Sequence, residues 1–585
     1  MSAHSAGVAF RELLGSGGFA YGAELVSTRG LPNPDAPGSC LGAAGELAGD
    51  RRIGWLSITD SPGGTPMLPP DYLARLLMDH RRRVVLHVTC KDMNRNGLET
   101  TLWRYAAEGF DNILALTGDL SGEGFGGRAP GVFDLDSVGL IALARAMNDG
   151  LAVRGRRGDP ERLPGTHFFT GCVVSPFKRH ERELLPQYFK LLRKLAAGAQ
   201  WVIPQLGYDM RKFHEVMSFL RWRGSDVPVI GNVYVLNRTV AELFHQGRLP
   251  GCVVSDALIE MVRRYAAGPD KGRAFFRELA AKQLAVFKGL GCAGGYLAGI
   301  AKPETFFEII DLAEGFAPHD WRAFAREIRF GQPGEFYLFE EDPATGLADP
   351  QRLNAAYLRA LEHPAKSAEV GLSYRLSRRV HDWLFTRGRG LYGLARRLYR
   401  RWEERPGTLS RLAYSMERFS KAALYGCQDC GDCSLPDCAY LCPMRACSKH
   451  SRNGPCGGSR EGRCELGDKE CLWARAYERL KHYGESETML AGPPVLYRAE
   501  LLHTSSWANT YLDRDHHAPP GTAPVPPAEP PPNGPPSADT AVPPQAGLDL
   551  PAGGKAKADG QPPTTGGNDA LRPGIIGPPV SSSPP

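Results

Sequence analysis

The sequence predicts an α/β protein built around a closed (β/α)8 TIM barrel, followed by a helical connector, a small Cys-rich metal-binding module and a disordered Pro-rich tail. Three observations carry this. Short apolar, β-rich runs alternate with helix-period segments over the first 330 residues, the pattern of a parallel sheet with crossover helices. Nine of the fourteen cysteines fall between Cys427 and Cys471. After Asp515 come 20 of the 48 prolines, mixed with Gly, Ala and Ser, a composition that cannot bury a core. A chain of 585 residues has room for several domains. The expected divisions are 1–330 for the barrel, 331–412 for the connector, 413–490 for the module and 491–585 for the tail.

The candidate strands are Phe19–Val26, Ile53–Thr59, Val84–Thr89, Asn112–Thr117, His167–Val174, Trp201–Gln205, Val227–Val233 and Gly294–Ala298. Helical segments separate them at Asp71–His80, Gly97–Gly109, Leu135–Asn148, His180–Ala197, Met210–Trp222, Thr239–Gln246 and Arg273–Leu290. Eight strands suggest closure. The rival is an open doubly wound sheet, but no strand runs into a GxGxxG turn, and the Gly-rich stretch Gly118–Gly127 lacks that spacing.

In a barrel of this kind the chemistry belongs at the C-terminal strand ends. Those ends carry Glu24, Thr59 and Asp60, Thr89, Thr117 and Asp119, Ser175, Gln205, and Tyr234 with Asn237. An isolated Thr or Asn there is what any strand-ending loop would show. Glu24 and Asp119 stand apart, because each carboxylate abuts its strand, where burial is costly without a purpose.

Taken together, five stretches resemble the methylenetetrahydrofolate reductase family, flavin-dependent barrels of one-carbon metabolism. They are AELVSTRG (23–30), LSITDSPGG (56–64), HVTCKDMNRNGL (87–98), FDNILALTGD (110–119) and LLRKLAAGAQWVIPQLGYD (191–209). The resemblance implies Glu24 as general acid on the folate and Asp119 as the aspartate that contacts the pterin beside the flavin. It implies Gln205 as a further pterin contact. Thr59, His87 and the backbone of Leu116, Thr117 and Gly118 match flavin-contacting positions, and Lys194 matches a flavin-phosphate contact. The flavin so implied is FAD, with FMN as the alternative. Val174-Ser175-Pro176-Phe177 replaces a Tyr-Pro-Glu stretch that often contacts the adenosine half of FAD, and Ser27-Thr28 and Thr117 also depart from the family pattern. No counterpart of the Arg that can bind folate's glutamate is found near Gly299–Lys302. The chemistry asks for the same residue types. Methylenetetrahydrofolate is a stable aminal, and protonating one nitrogen opens its ring to an iminium that a reduced flavin can attack. The acid must therefore hold its proton near neutral pH.

The module reads Cys427-x2-Cys430-x2-Cys433-x4-Cys438-x3-Cys442-Pro-x3-Cys447, then Cys456, Cys464 and Cys471. Such density argues for metal ligation. The Cys-x2-Cys-x2-Cys run with a later Cys-Pro is similar to bacterial ferredoxins, although the last interval is longer. Nine thiols can supply two [4Fe–4S] clusters, or one cluster and a zinc. Asn453–Gly458 and Arg463–Leu480 resemble the C-terminal domain found with these reductases. Clusters would suit a ferredoxin-like redox partner; zinc would leave NAD(P)H as donor.

Between barrel and module, Arg375–Arg405 carries ten arginines interleaved with Trp383, Tyr392, Tyr399 and Trp402, read as an amphipathic connector packing its aromatic side on the barrel. A net charge of +6 is too mild to argue for nucleic acid or membrane binding, no run of about 18 apolar residues exists to span a bilayer, and no secretory signal is seen, so the expected location is cytoplasmic. Self-association into a homo-oligomer is left open. The main expectation is an enzyme reducing methylenetetrahydrofolate. Its rival is a folate- or flavin-binding coupling protein that passes electrons or methyl groups to a redox or corrinoid partner.

Overall fold

In the computed structural model, which describes residues 8–33, 40–155, 159–362, 369–467 and 469–519, all eight expected strands form within three residues of their expected bounds. They are β1 (Ala20–Leu25), β2 (Ile53–Ile58), β3 (Val84–Thr89), β4 (Asn112–Leu116), β5 (Phe169–Val174), β6 (Trp201–Pro204), β7 (Ile230–Tyr234) and β8 (Gly294–Ala298). They pair in parallel in the order β6-β5-β4-β3-β2-β1-β8-β7. A parallel bridge between Val202 and Val229 joins the two ends of that order, so the sheet closes.

Side-chain volume explains the closure. Trp55 on β2 and Trp201 on β6 are buried inside the barrel, and the neighbouring strands offer them glycine. A Cβ at Gly22 would lie 2.0 Å from the Trp55 ring, and one at Gly171 would lie 2.2 Å from Trp201. Beneath them a short helix not anticipated from the sequence, Phe10–Gly15, inserts Phe10 against both tryptophans, with ring centroids 5.4 and 5.2 Å away. A buried phenyl of this kind stabilises by about 1.5–3 kcal/mol. The second apolar layer lies between the strands and the outer helices.

Helices Cys40–Gly49, Asp256–Ala266 and Pro303–Glu314 were also not anticipated. The first is Gly- and Ala-rich and has little contrast between its faces. Past residue 330 the chain first makes an antiparallel hairpin, Phe339–Glu341 with Ala348–Leu353. Buried Glu215 of helix Met210–Trp222 accepts the Leu338 N–H at 2.7 Å, so the barrel's packing continues through this hairpin.

The connector helices Leu372–Leu384 and Tyr392–Glu404 form, but their rings do not pack on the barrel. Tyr374 meets Tyr440 of the module, while Tyr392 and Tyr399 meet Tyr511, with centroids 5.8, 5.4 and 5.0 Å apart. Trp383 stays exposed. The physical reason is the stretch 491–519. Expected to be tail, it instead places Val495, Leu501, Asn509 and Tyr511 in buried positions and presents the surface the connector needs. The described residues all belong to one unit, Met1–Ala528, and the expected tail beyond 519 lies outside them. No helix among the described residues is long and apolar enough to cross a membrane.

Candidate active site

At the C-terminal ends of the strands lies a cavity of about 480 Å³, and every barrel residue singled out above as catalytic or binding lines it. Glu24 is the penultimate residue of β1, where its Oε2 accepts the Tyr296 hydroxyl at 2.9 Å. Burial pushes the Glu24 carboxyl above the usual carboxylate range, opposed only in part by Tyr296 and the Gly299 N–H. Asp119 follows β4, and its Oδ2 accepts the Gly63 N–H at 3.0 Å. Asp60 accepts both the N–H and the hydroxyl of Thr89, at 2.9 and 2.7 Å, and burial raises it as well.

The remaining positions are held by the barrel wall. Thr59 is buried and its N–H bonds Leu25 O at 3.0 Å. His87 Nε2 lies 2.9 Å from Ser57 Oγ, and burial lowers its pKa to about 4, which keeps the ring neutral. Thr117 Oγ1 accepts the Ser137 N–H at 3.3 Å. Beside Leu116 and Thr117, Gly118 has φ +87°, and a Cβ there would sit 3.0 Å from Thr89 Cβ. Lys194 donates to Val173 O at 2.5 Å, and burial lowers it to about 8. Gln205 Oε1 accepts the Leu206 N–H at 2.9 Å.

Four features were not read from the sequence. Tyr296, on β8, is the hydroxyl that holds Glu24; a Tyr inside an apolar strand gave no functional signal. Asn232 Oδ1 and Gln187 Nε2 are buried at the cavity with no hydrogen-bond partner among the described residues. Most unexpected, the cysteine module closes one side: Lys449, Cys456, Gly457, Gly458 and Glu465 line the same cavity. Lys449 donates to Gly118 O at 2.8 Å and pairs with Glu465 at 2.5 Å.

The module docks chiefly on helix Glu181–Ala197 and the loop before it. Lys178 donates to Gly457 O at 2.6 Å and also to Ser459 O. Buried Asp136 caps helix Ser137–Asn148, pairs with Lys190 at 3.3 Å and accepts Asn453 Nδ2 at 3.0 Å. Arg193 reaches the carbonyls of Met489, Ala491 and Pro493. The surface after β5, where the family stretch is replaced, therefore carries protein: a Cβ on Gly457 would lie 2.7 Å from Ser175 Oγ.

Within the module the cysteines separate into two groups. Cys427, Cys430, Cys433 and Cys442 surround one small void. Cys447, Cys456, Cys464 and Cys471 lie close enough that charge on one raises the pKa of its neighbours. Backbone N–H groups point at the sulfurs: Asp429 N to Cys427 Sγ and Gly458 N to Cys456 Sγ, both at 3.4 Å, with similar bonds at Cys433, Cys442, Cys447 and Cys471. Such donors favour thiolates. Cys438 sits fully buried in the apolar core, close enough to Cys442 of one group and Cys447 of the other that their charge adds to the rise burial gives its thiol. Among the described residues no three of these sulfurs come within 4.8 Å of one another.

Residues 50–311 match the family described as methylenetetrahydrofolate reductase, and residues 407–495 match the domain described as methylene-tetrahydrofolate reductase C terminal; together they cover more than half of the chain. The chain belongs to the methylenetetrahydrofolate reductase family. Methylenetetrahydrofolate reductase 2 of Schizosaccharomyces pombe is 27% identical over 221 residues, which cover 37% of this chain and 32% of that relative. The chain thus spans about a third of that relative's length. Two solved structures overlap more loosely. One is an uncharacterized protein from Clostridium thermocellum that binds two copies of 5-methyl-5,6,7,8-tetrahydrofolic acid, with TM-score 0.34, 14% identity and coverage of 52% of this chain and 96% of that one. The other is 2,3-dimethylmalate lyase, with TM-score 0.26, 12% identity and coverage of 54% and 92%. Overlap at that level carries no argument about this family member's site.

Proposed function

We propose that the chain reduces 5,10-methylenetetrahydrofolate to 5-methyltetrahydrofolate in the cavity at the mouth of the barrel, with Glu24 as general acid. The observation that carries this reading is a buried carboxyl, raised in pKa, near the end of β1 in the strand-end cavity of a chain that belongs to this family. A protonated Glu24 can donate to a nitrogen of the folate's five-membered ring, and Tyr296 orients it for that transfer. Asp119 and Gln205 border the same space and would hold the pterin.

The cavity also suits a flavin, since Asn232 Oδ1 and Gln187 Nε2 are buried polar atoms without partners and a polar ring edge would satisfy them. A bound reduced flavin supplies the hydride. Thr59, neutral His87 and the Leu116–Gly118 backbone would hold its ring, and Lys194 its phosphate. Gly457 and Ser459 occupy the surface after β5, which supports FMN over FAD.

Both cysteine groups fit clusters better than zinc. Thiolates around tetrahedral zinc, each about 2.3 Å from the metal, lie about 3.8 Å apart, closer than any three here approach. Iron–sulfur clusters supply one-electron chemistry, and Cys456 of the second group borders the cavity. A ferredoxin-like protein is therefore the proposed donor, in preference to NAD(P)H.

The test is Glu24→Gln. Turnover of methylenetetrahydrofolate should fall about 10²–10⁴-fold while the flavin is still reduced by its donor. Turnover at the parent rate would assign the acid elsewhere. Flavin and iron analysis of the anaerobically purified chain should give FMN with iron and sulfide; stoichiometric zinc without iron would remove the cluster reading.

A further inference from the structure

Outside the cavity and the two cysteine groups, one cluster of ligand-type side chains has no role in the reading above. It lies where the last described residues return to the module. Asp437 stands in the loop between Cys433 and Cys438, and His516 and His517 follow helix Ser506–Tyr511. His516 Nε2 is 3.0 Å and His517 Nε2 is 3.5 Å from the same oxygen, Asp437 Oδ2. One ligand atom from each of the three residues lies within 4.8 Å of the other two. The imidazole rings lie with centroids 3.9 Å apart and tilted 40° to one another, and both bring Nε2 to the same carboxylate oxygen.

We propose that Asp437, His516 and His517 form a divalent-metal site, filled by zinc, that fastens the 515–517 segment across the loop carrying Cys433 and Cys438. Two imidazoles and one carboxylate are a donor set for zinc. Ligands about 2.0–2.2 Å from a tetrahedral zinc lie about 3.4 Å from one another, and the separations here straddle that value. The other face of His516 supplies a second observation. Its Nδ1 is 2.5 Å from Asp432 Oδ1, which also accepts the His516 backbone N–H at 3.3 Å. A ligating histidine ordinarily donates its second ring N–H to such a carboxylate, which fixes its tautomer and aims the free nitrogen at the metal. The His516 side chain is only 6% exposed and that of His517 36%, leaving one side open for a fourth ligand such as water. No thiol takes part, so the site is separate from both cysteine groups.

The competing account is a proton in place of the metal, with His516 as a cation bridging Asp432 and Asp437. In that account His517 only adds a second contact to Asp437 Oδ2, at 3.5 Å, so metal content separates the two. The experiment is metal analysis of the full-length chain after exchange into metal-free buffer, beside His517→Ala and Asp432→Asn. The site predicts that His517→Ala loses one equivalent of zinc per chain while iron and sulfide stay at the parent values. It predicts that Asp432→Asn keeps the stoichiometry but binds about 10–100-fold more weakly to zinc in competition with a chelator. Cobalt(II) loaded in place of that zinc should give d–d bands without thiolate charge transfer. Equal zinc content in the parent and His517→Ala would overturn the site. So would cobalt absorption at this equivalent that shows sulfur ligation. Should His517→Ala fail to fold, the cobalt spectrum of the parent chain still decides.

Discussion

The barrel and the cysteine module are joined across one cavity, yet they hold their shapes by different means. In the barrel, large rings meet glycines on the next strand, Trp55 against Gly22 and Trp201 against Gly171, and the interior is filled by contact alone. The module has little of that. Its loops place Asp429, Ala439, Tyr440, His450 and Glu461 in the left-handed region, at a cost of about 1–2 kcal/mol each for residues with a Cβ. What the loops gain is a set of backbone N–H groups turned toward cysteine sulfur and toward buried charge. Packing can specify the barrel without a ligand, whereas the module's conformation makes sense once something occupies its thiols.

The largest effect is expected for Gly171→Val, which drives a side chain into Trp201 and should cost more than about 4 kcal/mol, or prevent folding, in denaturant titration. A mild loss would mean that the barrel interior can rearrange. Metal removal should do the reverse. Hydrogen exchange should speed across 427–471 while β3 and β4 stay protected, and equal loss in both would erase the distinction.

Next is the junction. Asp136→Asn leaves Lys190 buried without its partner and should weaken module docking by about 3–5 kcal/mol. Burial alone would raise Asp136, but Lys190 and the N–H donors outweigh it and hold its carboxyl below the ordinary range. A lowered carboxylate stabilises above its unfolded pKa, so docking should be at full strength above about pH 4 and be lost as pH falls through the lower folded value. Protection of 451–454 against exchange, tracked down the pH scale, checks this.

Smaller effects test the cavity. Lys194, lowered by burial to about 8, must take up a proton to meet a phosphate. Flavin affinity should then fall with rising pH above 8, toward about tenfold per unit, and Lys194→Met should bind weakly without that slope. Smallest is Tyr296→Phe. Removing a hydrogen bond that lowers Glu24 should move the basic limb of turnover upward by about one pH unit.

Much of the barrel was legible because strand and helix periodicities are local properties. The polar residues after each apolar run were legible too, and Glu24, Asp119, Lys194 and Gln205 do share one cavity. Residues 491–519 look like tail because the prolines and small residues that dominate beyond 519 already begin among them. Their few apolar side chains, Leu501 and Tyr511 among them, gain meaning only against the connector. Phe10 was missed for the same reason: a six-residue helix has no periodicity to read, and only a barrel with an open floor gives it a place.

The alternation that builds the barrel, the residues at its mouth and a density of thiols that argues for metal ligation can all be read along the chain. Folding alone brings Cys456 and Lys449 to the barrel's cavity, sets the other cysteines of the module in two groups, and joins His516 and His517 to Asp437. The physical reason is range. Burial pattern and ligand chemistry are written in neighbouring residues, but which surfaces meet across 300 residues depends on shapes and buried charges, such as Lys178 under Gly457, that exist only once both partners have folded.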